Sequence, residues 1–121
     1  MPSPSLQPVS VRRLDCYQLA LALIRLLGPL RERLRRQDRD LATQLRRASA
    51  SVPLNLAEAM RRTGADRAHL LTVALGSAAE MGAVVDVAEA LGVALSTEAR
   101  AAQQGLDRLS AMLYRLRQRC A

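Results

Sequence analysis

Apolar residues recur along this chain at steps of three and four, which is the period of a helix face and not of a strand. The clearest case is residues 41–62, LATQLRRASASVPLNLAEAMRR. Leu41, Leu45, Ala48, Val52, Leu56 and Ala59 form an apolar stripe, while Gln44, Arg47, Ser51, Asn55 and Glu58 repeat the same spacing on a second, polar face. Pro53 stands inside this helix, where it removes its own N–H and deprives the Ser49 carbonyl of its usual donor. Three further helices follow from the same period. One covers about 11–37, with Leu14, Tyr17, Leu21, Ile24 and Gly28 on one face and Leu19, Leu23, Leu26, Leu30 and Leu34 on another. The next covers about 65–91 around Leu70, Ala74, Ser77, Met81, Val84, Ala88 and Leu91, and the last about 96–119 around Leu106, Leu109, Leu113 and Leu116.

The boundaries carry their own chemistry. Asp38 and Asp40 open a helix of about 39–63, Gly64 and Gly92 are natural stops, and Ser96 with Glu98 suits a helix start. Gly28-Pro29 should kink or interrupt the first helix. Residues 1–10, with Pro2, Pro4 and Pro8, read as a disordered Pro/Ser tail, leaving 11–121 as one domain. Short connections make sequential helices antiparallel neighbours. The expected fold is therefore all-α, an up-down-up-down antiparallel four-helix bundle. Two apolar stripes on the first helix exceed what one core needs. They predict a homo-oligomer held through Leu19, Leu23, Leu26 and Leu30.

Composition changes this picture in two ways. The chain has no Phe and no Trp, so Leu, Ala and Val must fill the core, a texture that suits close helix-on-helix packing. The net charge is +7 and all eighteen basic residues are Arg, whose fork suits phosphate. The same excess also fits Arg standing wherever another protein would use Lys. Arg31, Arg33, Arg35, Arg36 and Arg39 cluster at one end of the expected bundle, and Arg61 and Arg62 form a second group. With only Tyr17 and Tyr114 to stack on bases, binding to RNA or DNA would be dominated by phosphate and weakly specific in sequence. Cys16 and Cys120 are far apart in sequence and form no metal-type pair; they read as core or boundary residues, with a staple between them left open. The N-terminus shows no leader pattern, and the apolar run Leu19–Ile24 is too short to span a bilayer, which predicts a cytoplasmic protein with no membrane role.

Candidate chemistry is sparse. No Ser/His/Asp order, Gly-rich phosphate loop or activated cysteine is present, and His69 is the single histidine, so neither an enzyme nor a cofactor or metal site is expected. Gln44, Arg47, Ser51, Asn55 and Glu58, joined by Ser77 and Glu80, read as a structural hydrogen-bond network that fixes helix register, with Arg47 paired to Glu58 or Glu80.

In order, Gln44, Arg47-Ala48, Ser51-Val52-Pro53, Asn55, Ala57-Glu58 and Gly76-Ser77 resemble the signature of the small bacterial four helix bundle proteins. That family includes proteins encoded in intervening sequences of large-subunit ribosomal RNA genes and the accessory variability determinant of diversity-generating retroelements. The likeness covers nearly the whole chain and departs at Ala59, where the family usually has Gly. It implies a homopentameric ring of four-helix bundles, which in the retroelement members is a basic barrel that binds a reverse transcriptase and structured nucleic acid. Two functional classes are thus in view: a non-catalytic, nucleic-acid-binding scaffold, and a protein–protein interaction module whose positive charge is incidental.

Overall fold

The computed structural model describes residues 10–120, and all regular structure among them is helical, with no strand. A single 3-10 turn, Val11–Arg13, precedes five α-helices: α1 (Asp15–Leu26), α2 (Gly28–Gln37), α3 (Arg39–Ala59), α4 (Gly64–Ala90) and α5 (Ser96–Gln118). The expected tail lies outside the described residues except for Ser10.

The stretch expected as one helix over 11–37 is divided. Leu27 separates α1 from α2, and Pro29 falls in the first turn of α2, where its missing N–H would be unpaired in any case. The join is slight, because Leu27 keeps helical angles and its carbonyl still accepts from Arg31 N–H at 2.9 Å. Asp38, in an extended conformation, ends α2, and its Oδ1 accepts from Leu41 N–H at 3.0 Å to cap α3. Pro53 is buried inside α3, which continues past it. Two turns need glycine: Gly64 has φ +56° and Gly92 φ +77°. Beyond Gly92, Val93 N–H reaches back to the Ala88 carbonyl, closing α4 in the manner of a Schellman cap.

α3 packs on α1, α2 and α4, and α5 packs on α4 and α1. α3 and α4 are antiparallel, since Ser51 meets Ser77 while Ala59 meets Arg67, and so are α4 and α5, since Gly82 meets Gln103 while Thr72 meets Arg117; Leu23 of α1 meets Gly105 of α5. Leu30, Leu34, Leu45, Val52, Leu56 and Leu109 are among the fully buried side chains, and Ala48, Ala74, Ala78 and Ala102 fill the gaps between them. At Gly105 the approach is closest, since a Cβ there would stand 2.5 Å from Cδ2 of Leu23.

This packing corrects the expected oligomer interface. Leu23 and Leu30 are 3% and 1% exposed, so they belong to the core and offer no surface to a second subunit. α1 lies against two neighbours, α3 and α5, which bury Cys16, Ala20 and Leu23, while Leu14, Tyr17, Leu21 and Ile24 of the other stripe are half-buried. Leu19 is half-buried and Leu26 is exposed, and the two line a shallow groove of about 350 Å³ between α1 and α5. The larger apolar surplus is on α4. That helix is long and apolar enough to cross a membrane by length and composition, and only 33% of its most apolar stretch is buried against the rest of the chain.

Candidate nucleic-acid interface

On α2, Arg31 and Arg35 are four residues apart and share a face, as do Arg39 and Arg46 across two turns of α3. The reversal at Asp38 lays these two faces together. Arg31, Glu32, Arg35 and Arg39 then line an open groove of about 220 Å³ with Ala42, Thr43 and Arg46. Four guanidinium groups and one carboxylate give it an excess of positive charge. Glu32 is committed to Arg35, whose Nη2 donates to Oε1 at 2.6 Å, and that bond, with Arg36 and Arg31 nearby, holds the carboxyl below its ordinary range. No carboxylate lies within 4.0 Å of Arg31, Arg39 or Arg46 among the described residues. Their charge is available to an anion, and the fork of each suits a phosphate oxygen pair.

The two expected groups of arginines remain apart, and the first of them is divided between different faces. Arg33 is on the other side of α2 and is already engaged: its Nη2 donates to Glu98 and its Nε to the Val93 carbonyl at 3.2 Å. This pair fastens α2 to the start of α5, and the Arg33 bond is the main cause of the lowered pKa of Glu98. Glu98 also accepts from Leu95 N–H at 2.9 Å, a capping role in place of the expected Ser96 hydroxyl. Arg36 is exposed and lines no part of the groove. Arg61 and Arg62 follow the far end of α3, roughly 30 Å away at 1.5 Å per residue. Arg62 is paired with Glu58 at 2.7 Å. Next to them Arg67 donates to the Ala59 and Met60 carbonyls, satisfying the end of α3. Arg46 comes from the adjacent Arg46-Arg47 pair, and its spacing of seven from Arg39 already placed both on one stripe.

The polar stripe is likewise only partly assembled. Ser77 Oγ donates to Ser51 Oγ at 2.7 Å, and Asn55 Nδ2 donates to both the Ser51 carbonyl and Ser51 Oγ at 2.8 and 2.9 Å. These three residues lock α3 to α4. Gln44, Arg47 and Glu80 are instead exposed, with no hydrogen bond from their side chains among the described residues, and Glu58 turns to Arg62 rather than Arg47. The sequence spacing put Gln44, Arg47, Ser51, Asn55 and Glu58 on one side of α3. It did not fix how far round the helix the contact with α4 extends.

Cys16 is buried and Cys120 half-buried, and both are free thiols. Burial pushes the Cys16 thiol above its ordinary range. His69 is exposed on α4.

No curated protein matches the chain significantly. A family model does, over residues 12–115, which takes in all five helices apart from the last residues of α5. Its description agrees with the resemblance carried by Gln44, Arg47, Pro53, Asn55 and Gly76-Ser77, and the chain belongs to the 23S rRNA-intervening sequence protein family.

Proposed function

We propose that this protein is a non-catalytic oligomeric scaffold that binds the phosphates of structured RNA or DNA. In this reading α1 and α2 act as one bent arm of an up-down-up-down four-helix bundle. Copies assemble into a ring in the cytoplasm and serve a partner enzyme such as a reverse transcriptase. The observation that carries it is the α2–α3 groove, where Arg31, Arg39 and Arg46 converge without carboxylate partners. The family's name, which associates it with 23S ribosomal RNA genes, makes RNA the first nucleic acid to test. A ring would repeat the groove once per subunit, so weak single contacts would combine into useful avidity.

Three unpaired arginines set the scale of the salt dependence. Neutralising three phosphates on a duplex gives a slope of log affinity against log salt of about −2.7, or roughly a 40-fold loss between 50 and 200 mM salt. The test is fluorescence anisotropy with a structured RNA across that salt range, comparing the natural chain with Arg39→Gln/Arg46→Gln. The double variant should bind more weakly and flatten the slope by about 2. Absence of binding at low salt, or a slope untouched by the substitutions, refutes the nucleic-acid reading. The exposed apolar surface of α4 favours a second reading, a protein–protein interaction module.

A further inference from the structure

The outer sides of α3 and α4 form a face that this chain leaves uncovered. Leu54 is 67% exposed, Val73 37% and Val87 45%. Ser51 of α3 bonds to Ser77 of α4, so Leu54 and Val73, each about one turn away in the same direction, lie at the same height on adjacent helices. Between Val73 and Val87 the outward residues of α4 include Gly76, Ala79, Glu80 and Ala83. Their spacing of i, i+3, i+4 and i+7 outlines the kind of hole that a side chain from a facing helix enters. The hole is open, because a Cβ added to Gly76 would meet no heavy atom within 4 Å.

Charge indicates what covers this face. Between Arg67 and Arg100 the sequence has no Lys or Arg, and Glu80 stands exposed among the small outward residues of α4, while Asp86 turns towards α5, where its Oδ1 accepts from Gln103 Nε2 at 2.9 Å. The outer stripe of α3 is the opposite: Arg47 and Arg61 stand seven residues before and after Leu54, exposed and without a carboxylate within 4.0 Å among the described residues. The two stripes are complementary in charge, and one carries an apolar knob while the other carries a hole. We infer that the α3 stripe of one copy of this chain, with Leu54 as its knob, seats on α4 of a second copy.

The alternative self-contact, α4 against α4, brings Glu80 up to its own symmetry mate, and like charges so placed oppose association. The available area is sufficient. Two helices side by side, each about 10 Å across and overlapping for about 30 Å, offer a face of roughly 600 Å², close to the ~800 Å² per partner that stable interfaces bury. This inference rests on the oligomeric part of the proposed function and supplies the surface that part requires.

The experiment measures mass by light scattering on a sizing column at micromolar concentration. It compares the natural chain with Gly76→Arg, Leu54→Ser, Arg47→Glu, Glu80→Arg and the charge swap Arg47→Glu/Glu80→Arg. Gly76→Arg fills an open position with a better helix former, so its fold is expected to survive, as checked by circular dichroism. The natural chain should be oligomeric, and Gly76→Arg and Leu54→Ser should run as monomers. Each single charge reversal should weaken association roughly tenfold or more, with recovery in the swap. If the chain stays oligomeric in both Gly76→Arg and Leu54→Ser, another face holds the assembly; the inference fails while the scaffold reading stands. A monomeric natural chain overturns both. If that monomer floats with phosphatidylcholine vesicles, the face belongs to lipid.

Discussion

Replacing Gly105 by Ala should have opposite effects in two backgrounds, because one side chain decides the outcome. An added Cβ would lie 2.5 Å from Cδ2 and 3.4 Å from Cγ of Leu23, which is 3% exposed and has little room to withdraw. Overpacking of this kind costs about 1–3 kcal/mol. Ala in a helix interior regains about 1 kcal/mol over Gly. The net change in the natural chain is then a loss of roughly 0–2 kcal/mol. Leu23→Ala by itself should cost about 2–5 kcal/mol, the usual penalty for a cavity at a closed core position. With the Leu23 methyl groups gone, the obstruction disappears and Gly105→Ala should stabilise the protein by about 1 kcal/mol. The four chains of this double-mutant cycle would be unfolded in urea and followed by circular dichroism, at one protein concentration because association shifts apparent stability. A coupling of about 1–3 kcal/mol is expected. Equal destabilisation by Gly105→Ala in both backgrounds would show that the new methyl group does not meet Leu23. It would also reopen a surface role for Leu23 at a subunit contact.

Two further outcomes complement the binding and association tests above. Ser77→Ala removes the donor to Ser51 in a half-buried site and should cost about 1 kcal/mol in urea unfolding, whereas Glu89→Ala, at an exposed position of the same helix away from the proposed contact, should cost nothing measurable. The carboxyl of Glu98 has its pKa lowered in the folded chain, chiefly by Arg33, so its contribution is full above the unfolded value and is lost as pH falls through the folded one. Melting temperatures of the natural chain and Glu98→Gln should therefore differ at neutral pH and converge as pH drops below about 4, the ordinary range for Glu. A gap that persists in acid would mean that Glu98 acts without its charge.

Much of the fold was legible because helical period, glycine stops and acidic starts are local signals. The starts at Asp38 and near Ser96, the glycine turns at 64 and 92 and the interruption near Pro29 all follow from a few adjacent residues. Ala59 is fully buried at the end of α3, so the departure from the family's usual Gly places a methyl group in the core. The candidate site was less legible. Runs of arginine identify charge, but Arg33 and Arg35, two residues apart, have different partners and different faces of α2. Which arginines remain free depends on carboxylates that approach from α5 or from the next turn.

By itself the sequence determined that the described chain is helical, roughly where the helices begin and end, and the family to which it belongs, since these depend on residue type and spacing along the chain. Only the tertiary structure decided that Leu23 and Leu30 face inward, that Arg46 joins Arg31 and Arg39 across a groove, and that α4 carries the spare apolar surface. A periodic pattern gives the angle of a side chain about its own helix axis. Burial and pairing depend on which other helices occupy that angle, and residues 26 to 65 positions away in sequence supply them here, as in the Ser51–Ser77 and Arg33–Glu98 contacts.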